Sequence, residues 1–335
     1  MKKLPSYIAC GTIAALTLSG ILSPPVQAES RHPASYLVQL NGHTLVEKNP
    51  DLRLAPASLT KMMTALIVLE RCKLEEVVTV SRAAARETGH RINLRQGQRL
   101  RVHDLLAAAL ISSANDASRA LADHVAGNQQ AFVAIMNAKA HALQLHNTHF
   151  TNVCGHDDLS LYSTAHDLAK LAELAMQHPT FADLVARPTM AITTVDGRRT
   201  FHLKSVNRLI GRYPGATGVK TGTTPNAGQC LVALAQRDDR RILLVLMRSR
   251  NRWQAAPAML DAAFAIRTSA MLQTAMKGDN DEALPEGALV RDQEETRLRE
   301  YYDRIVQSSV GERHPRRHTA VQRHAHHRKR VHKRR

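Results

Sequence analysis

The sequence predicts an α+β fold in which an antiparallel sheet is covered by a helical cluster. Segments with strand patterns lie at both ends of residues 31–270, and segments with helical patterns lie between them. The strand segments follow one another through tight turns rather than through crossover helices, which favours antiparallel pairing. With 335 residues, 44% of them hydrophobic, the chain has enough apolar material for one large domain or two modest ones.

The amino-terminal part of this region predicts a β-hairpin followed by a buried helix. Tyr36, Val38 and Leu40 alternate along the first strand, and Asn41-Gly42 supplies the two positive φ angles of a type I′ turn before the chain returns over residues 44–46. Residues 59–69 are apolar almost all round and follow a proline, which is typical of a helix buried on all sides. Ser58 is therefore expected at the start of a buried helix.

The middle of the region predicts four helices, because apolar residues recur there at three- and four-residue spacing. These helices are expected over residues 105–111, 117–125, 132–145 and 164–176, with a polar loop at 112–116. Three strands are expected next, over residues 218–223, 229–235 and 242–247, separated by turns rich in polar residues. A last helix over residues 255–266 completes the predicted order.

Residues 1–28 predict a signal peptide. Lys2 and Lys3 precede an apolar run over residues 8–22, and Val26-Gln27-Ala28 resembles a small-residue cleavage site. A lipoprotein would instead use Cys10, but too few apolar residues precede that cysteine for this alternative. We expect an exported protein, in the periplasm or cell envelope, soluble or peripherally attached.

The carboxy-terminal part is strongly charged. Residues 271–311 predict a charged linker that contains a short amphipathic helix, and residues 312–335 predict a disordered tail rich in Arg and His. The tail carries nine of the seventeen net positive charges of the chain, which suggests adhesion to anionic lipid head groups or envelope polymers. A solvated tail without a partner is the alternative. The chain has only twelve aromatic residues, which leaves little material for stacking on bases and argues against a nucleic-acid partner.

Cysteine usage indicates neither a disulfide scaffold nor a zinc motif. Removal of the signal peptide leaves Cys72, Cys154 and Cys230, which permit at most one disulfide. None of them has a Cys-x-x-Cys spacing, so we interpret them as small buried residues. No cofactor and no catalytic metal is expected.

Ser58 and Lys61 form a Ser-x-x-Lys sequence at the start of the predicted buried helix. Residues three apart share a helix face, so the Lys61 amine can reach the Ser58 hydroxyl. Burial lowers the pKa of a lysine, and a neutral lysine can act as the base that a serine nucleophile needs. On its own this tetrapeptide is common, and an N-capping serine with an exposed lysine is its more usual explanation.

Two further motifs follow along the chain. Ser113-Ala114-Asn115 lies in a loop between predicted helices, and Lys220-Thr221-Gly222 lies on a predicted strand. The three motifs have the order found in penicillin-binding proteins and class A β-lactamases. With their flanking residues, the three motifs closely resemble the D-alanyl-D-alanine carboxypeptidases, which are low-molecular-mass penicillin-binding proteins. The resemblance covers about residues 35–265 and implies a β-lactamase/penicillin-binding-protein-like fold.

The resemblance also implies a role for each matched residue. Ser58 would attack the carbonyl of the penultimate D-alanine of a peptidoglycan stem peptide, Lys61 would accept its proton, and Ser113 would pass a proton to the leaving nitrogen. Substrate would be bound by Asn115, Lys220, Thr221, Gly222 and Thr223, with backbone N–H groups of Ser58 and Thr223 forming an oxyanion hole. β-Lactam antibiotics would acylate the same serine.

Some features leave alternatives open. Thr223 and Thr224 replace the His-Thr that often follows the third motif in this family, so we expect the edge of the substrate pocket to differ. The arginine that helps to bind the substrate carboxylate has no firm match, and Arg208, Arg212 and Arg248 are candidates. A DD-endopeptidase would use the same catalytic groups. A class A β-lactamase is disfavoured because its Glu-x-x-Leu-Asn segment is absent, and a non-catalytic wall-binding protein would be expected to lack part of the set.

Overall fold

A five-stranded antiparallel sheet forms the centre of the computed structural model, which describes residues 33–266 and 296–304. The strands of the described residues are β1 Ser35–Leu40, β2 His43–Lys48, β3 Val77–Thr79, β4 Arg99–Arg101, β5 Thr189–Thr193, β6 Thr200–Lys204, β7 Ala216–Thr224, β8 Gly228–Arg237 and β9 Arg240–Ser249. The central sheet has the order β2-β1-β9-β8-β7, while β3-β4 and β5-β6 form two separate pairs. The first and last strand groups of the chain therefore meet in one antiparallel sheet, as predicted.

Helices cover both faces of this sheet. They are α1 Lys61–Arg71, α2 Arg82–Ala85, α3 Val102–Ile111, α4 Asn115–Ala126, α5 Gln129–Ala142, α6 Ala165–Met176, α7 Pro179–Ala186, α8 Arg252–Ala265 and α9, residues 296–304. Side chains of one strand alternate between two cores: Leu37 joins the core with α1 and α3–α6, whereas Tyr36 and Val38 join the core with α8. Because successive strand side chains point to opposite faces, one apolar strand supplies both cores.

The amino-terminal hairpin has the turn that its sequence predicts. Asn41 and Gly42 have φ angles of 52° and 88°, the left-handed values that a type I′ turn needs. This turn pairs Leu40 with His43, so the two strands are joined by two residues. A bulge between Val38 and Gln39 shifts the register further along the hairpin.

Other boundaries and elements differ from the sequence predictions. Helix α1 begins at Lys61 instead of residue 59, because Ala57–Thr60 form a 3-10 turn. The strand pairs β3-β4 and β5-β6 and helix α7 were not predicted, since their strands have three to five residues and largely exposed side chains that give a weak pattern. Asp196-Gly197, between β5 and β6, is a hairpin signal that could have identified the second pair.

Helix α9 packs against the core that contains α8, next to strand β1. Tyr302 is fully buried in this core with Tyr36. Asp303 accepts hydrogen bonds from the Tyr36 hydroxyl at 3.3 Å and from Lys48 Nζ at 3.2 Å. The helix lies within the segment predicted as a linker, and its contacts attach that part of the chain to the sheet.

The other predicted flanking segments, namely the signal peptide over residues 1–28, the rest of the linker and the tail over residues 312–335, lie outside the described residues. Among the helices that are described, none combines the length and the apolar character needed to cross a bilayer.

Candidate active site

Ser58 lies in the 3-10 turn directly before α1, and two glycines press against this turn. A Cβ atom on Gly155 would lie 1.8 Å from the carbonyl oxygen of Ala57, and a Cβ atom on Gly222 would lie 2.9 Å from the backbone nitrogen of Ser58. Neither position has room for a side chain, and Gly155 also has a φ of 87°. The Ser58 turn is thus held between the loop at residue 155 and strand β7.

Lys61 is fully buried in the first turn of α1. Its Nζ lies 3.0 Å from Ser58 Oγ, 2.7 Å from Asn115 Oδ1 and 2.7 Å from the carbonyl oxygen of Cys154. The amide and carbonyl oxygens can only accept hydrogen bonds, whereas a hydroxyl can donate or accept. A neutral amine can therefore give its two N–H groups to Asn115 and Cys154 and direct its lone pair at the Ser58 hydroxyl.

A second serine–lysine pair joins the helical part of the site to the sheet. Lys220, buried on strand β7, donates from Nζ to Ser113 Oγ at 2.8 Å and to the carbonyl oxygen of Thr221 at 3.1 Å. Ser113 has a φ of 61°, a left-handed conformation at the sharp bend between α3 and α4. This bend places the Ser113 hydroxyl against the strand.

Asn115 connects the Ser58–Lys61 pair to the loop between α2 and β4. Its Oδ1 accepts the hydrogen bond from Lys61, and its Nδ2 donates to the carbonyl oxygen of Thr88 at 2.7 Å. These opposite partners fix which end of the amide faces the lysine. Each end keeps one further hydrogen-bonding position, so the side chain can still bind a peptide group.

Arg252, the first residue of α8, reaches the outer end of strand β7. Its Nη1 donates to Thr223 Oγ1 at 2.8 Å, to the carbonyl oxygen of Cys230 at 3.0 Å and to the carbonyl oxygen of Gly222. Its guanidinium also lies over the ring of Trp253, 4.7 Å from the ring centroid. Arg252 is thus held by several contacts beside the exposed side chain of Thr223.

The electrostatics of this region favour an anionic ligand. Burial lowers the pKa of Lys61, and burial together with the charges of Lys61 and Arg252 lowers the pKa of Lys220 well below its usual range. Burial, with the nearby Arg208, lowers the pKa of Arg252 to about 10. Burial is the largest cause of all three shifts, and repulsion from neighbouring cations adds to it at Lys220 and Arg252. A negatively charged ligand would relieve this repulsion.

Comparison with protein families identifies the enzymes whose sequences are similar to this chain. Residues 25–251 match the family model of the D-alanyl-D-alanine carboxypeptidases, peptidase S11. The chain belongs to this family. The resemblance stated from the three motifs is confirmed, and so is the predicted α+β fold of the penicillin-binding-protein type.

Individual relatives of this peptidase S11 member include proteins named for two reactions. The D-alanyl-D-alanine carboxypeptidase DacF of Bacillus subtilis is 35% identical over 248 residues, which cover 71% of this chain and 64% of that relative. The D-alanyl-D-alanine endopeptidase of Pseudomonas aeruginosa is 36% identical over 214 residues, covering 62% of this chain and 68% of that protein. The crystal structure of a D-alanyl-D-alanine carboxypeptidase from Mycobacterium tuberculosis matches with a TM-score of 0.67 at 31% identity, over 71% of this chain and 93% of that one.

The sequence-predicted site residues of this S11 peptidase lie on three segments: the Ser58 turn with the start of α1, the bend before α4 with the first residue of α4, and strand β7. Contacts between these three segments bring them together. They are Ser58, Lys61, Ser113, Asn115, Lys220, Thr221, Gly222 and Thr223.

The arginine at this site was missed from the sequence. Among the described residues, Arg252 contacts Thr223, whereas Arg208 lies over Trp253 at 5.6 Å and Arg248 donates to the carbonyl oxygen of Asn226 at 3.2 Å. Arg212, the third candidate, lines a cavity with Arg208 and Trp253. Arg252 belongs to no motif, and its position just before a predicted helix was the only available signal.

Proposed function

We propose that this protein is a serine DD-carboxypeptidase that removes the terminal D-alanine from peptidoglycan stem pentapeptides. The observation that carries the proposal is the 3.0 Å contact between Lys61 Nζ and Ser58 Oγ in surroundings that lower the pKa of Lys61. A serine hydroxyl becomes a nucleophile when a base takes its proton, and a buried neutral lysine can be that base. The carboxypeptidase names of relatives such as DacF support this substrate class.

In the proposed reaction, Ser58 Oγ forms a bond to the carbonyl carbon of the penultimate D-alanine while its proton moves to Lys61 Nζ. The tetrahedral oxyanion is stabilised by the backbone N–H groups of Ser58 and Thr223. The C–N bond then breaks, and the proton taken up by Lys61 passes through the Ser113 hydroxyl to the leaving D-alanine amine, which restores Ser113 and leaves Lys61 neutral. Water afterwards attacks the acyl-enzyme, which releases the shortened peptide and restores Ser58.

Three groups would hold the terminal carboxylate of the substrate: Lys220, Thr221 and Arg252. Their support is the position of Lys220 and Thr221 on β7 and the hydrogen bonds of Arg252 to the next two residues of that strand. Two cations beside a hydroxyl match one carboxylate, and charge-assisted hydrogen bonds to it are short and strong. Asn115 would bind a peptide amide of the substrate with its remaining hydrogen-bonding positions.

Product analysis distinguishes the proposed reaction from its nearest alternative. The purified protein is incubated with a stem pentapeptide and, separately, with a cross-linked muropeptide dimer, and the products are identified by mass spectrometry. We expect free D-alanine and tetrapeptide from the first substrate. Efficient cleavage of the dimer with little attack on the pentapeptide would instead assign a DD-endopeptidase, which the Pseudomonas relative's name makes the second candidate. If both substrates remained unchanged, the carboxypeptidase and the endopeptidase assignments would both be contradicted.

We also propose that the protein is exported to the cell envelope and that residues 312–335 hold it at an anionic surface. This rests on the sequence alone: the tail contributes nine of seventeen net positive charges. Attraction is on the order of 1 kcal/mol per cation near such a surface and is screened by salt. Sedimentation with envelope fractions should therefore fall as salt rises, and it should fall at low salt when residues 312–335 are deleted. Equal sedimentation of both forms would contradict the proposal.

A further inference from the structure

The carboxy-terminal ends of α1 and α4 bring together a thiol, a carboxylate and an imidazole that the proposed reaction does not use. Cys72 directly follows α1, Glu76 directly precedes β3, and His124 lies in the last turn of α4. One potential ligand atom from each residue, the Cys72 Sγ among them, lies within 4.8 Å of the other two. The fold creates this cluster, because Glu76 and His124 are 48 residues apart in the chain.

The spacing of two of these atoms already fits a metal ion. Glu76 Oε2 and His124 Nε2 are 3.3 Å apart, and two ligands at about 2.0–2.1 Å from a tetrahedral zinc ion are separated by about the same distance. A shift of about 1 Å would bring Cys72 Sγ to the third position. The other carboxylate oxygen of Glu76 accepts a hydrogen bond from the Lys73 backbone N–H at 2.7 Å, which orients the carboxylate.

The surroundings of the cluster favour a cation. Both helices end here, and the carboxy-terminal end of a helix carries a partial negative charge. The side chains of Glu76 and His124 are 40% and 27% exposed, so an ion can enter from solvent and keep a water ligand. Arg71 and Lys73 are the nearby basic residues of the same segment, and both are exposed, where solvent screens their charges.

A second cluster with the same three ligand types, Glu87, Cys154 and His156, is less suited to a metal. The Cys154 thiol is buried and donates to the carbonyl oxygen of Asn115 at 3.4 Å. Glu87 is also paired with Arg119 at 3.7 Å, and the amine of Lys61 lies 2.7 Å from the Cys154 carbonyl oxygen. Two basic side chains therefore lie beside this second cluster, and its thiol is buried, both of which oppose a dication.

We propose that Cys72, Glu76 and His124 bind a transition-metal ion of the zinc class, with water as the fourth ligand. On binding, the metal replaces the thiol proton of Cys72, which is released to solvent. The ion joins the ends of two helices whose opposite ends carry Lys61 and Asn115. Its role is structural: it stabilises the folded protein and takes no part in the acyl-transfer reaction.

Cobalt titration tests the ligand set directly. Under reducing conditions, Co²⁺ added to the full chain should produce a thiolate-to-cobalt charge-transfer band in the near ultraviolet. The His-rich tail has no cysteine and cannot give this band. The band should disappear in Cys72→Ser and persist in Cys10→Ser, Cys154→Ala and Cys230→Ala. Absence of the band in the native sequence, its survival in Cys72→Ser, or its loss in Cys154→Ala would overturn the proposal.

Zinc-dependent stability tests the structural role. Saturating Zn²⁺ should raise the melting temperature of the native sequence by roughly 5 °C, because a ligand of the folded state alone stabilises it. The rise should be abolished in Cys72→Ser and at least halved in His124→Gln. His141→Gln is the matched control, since His141 lies in the last turn of α5 outside the cluster. An equal rise in all four proteins would show that zinc acts elsewhere and would overturn the proposal.

Discussion

The two serine–lysine pairs of the site contain the same chemical groups but are built by different parts of the fold. Ser58 and Lys61 are 3 residues apart and meet within one turn of chain. Ser113 and Lys220 are 107 residues apart and meet only when the bend before α4 reaches the sheet. The first contact is therefore local, and the second depends on the whole tertiary structure.

The neighbours of the two lysines also differ, although burial lowers the pKa of both. The other partners of Lys61 are the uncharged acceptors of Asn115 and Cys154, which suit an amine that gives and takes a proton. Lys220 has the positive charges of Lys61 and Arg252 near it, which suit a site for an anion. A lowered pKa alone does not distinguish a base from a binding group, and the neighbouring charges do.

The largest expected effect is on acylation, and it distinguishes the roles of the two serines. Ser58→Ala should abolish acylation by a labelled penicillin, because the atom that forms the acyl bond is removed. Ser113→Ala should slow acylation by about 10²- to 10⁴-fold, the usual cost of losing a proton-transfer group, without abolishing it. Gel detection of the covalent label, followed by peptide mapping of the labelled residue, measures both effects. Label on Ser113 in the Ser58→Ala protein would reverse the assignment of the two pairs.

Replacing each lysine with arginine distinguishes the roles of the two amines. Arginine stays protonated and cannot act as a base, so Lys61→Arg should lower the acylation rate by about 10²- to 10⁴-fold. Lys220→Arg keeps a cation for the substrate carboxylate. Its loss of activity should therefore be smaller than that of Lys61→Arg and should appear mainly as a higher KM. Steady-state kinetics on a stem pentapeptide measure both changes, with melting temperatures as a control for folding. Equal losses in kcat for the two variants would contradict the division of roles.

The site could be predicted from the sequence to the extent that its groups are carried by short motifs. Ser58 and Lys61 are readable because helical spacing alone brings them together. The partners of Lys61 at Cys154 and of Asn115 at Thr88 are backbone carbonyls, which any residue type supplies, so no sequence pattern marks them. The long or strongly apolar elements of the fold were predicted, whereas short strands such as β3 and β4 gave no usable periodicity.

The pH dependence of acylation sharpens the comparison further. Because burial disfavours the ammonium form of Lys61, its pKa lies below the ordinary 10.5, and the neutral base is populated at lower pH than in an exposed lysine. Acylation should rise with pH, by about tenfold per pH unit below this pKa, and then level off. The unfolded chain binds more protons between the lowered pKa and 10.5, so the free energy of unfolding should also rise with pH across that window.

Rates of labelling by penicillin, measured from about pH 5 to about pH 10, test this expectation. The acid limb should be present in the native sequence and in Lys220→Arg, since both retain Lys61. A shift of this acid limb to another pH in Lys220→Arg would show that Lys61 and Lys220 titrate as one coupled pair. A flat profile in the native sequence would contradict the role of Lys61 as base.

The smallest expected effect concerns Arg252, which touches the strand of the second pair. Arg252→Gln should lower kcat/KM by about 10- to 100-fold on a peptide with a free terminal carboxylate, the loss of one charge-assisted hydrogen bond. The same peptide with an amidated terminus lacks the charge, so Arg252→Gln should change its turnover little. Arg208→Gln is the matched control, because Arg208 lies over the same Trp253 ring without a hydrogen bond to Thr223 among the contacts of the described residues. Equal losses in the two variants, or equal losses on the acid and the amide, would show that the arginines act through general positive charge and not through a direct contact with the carboxylate.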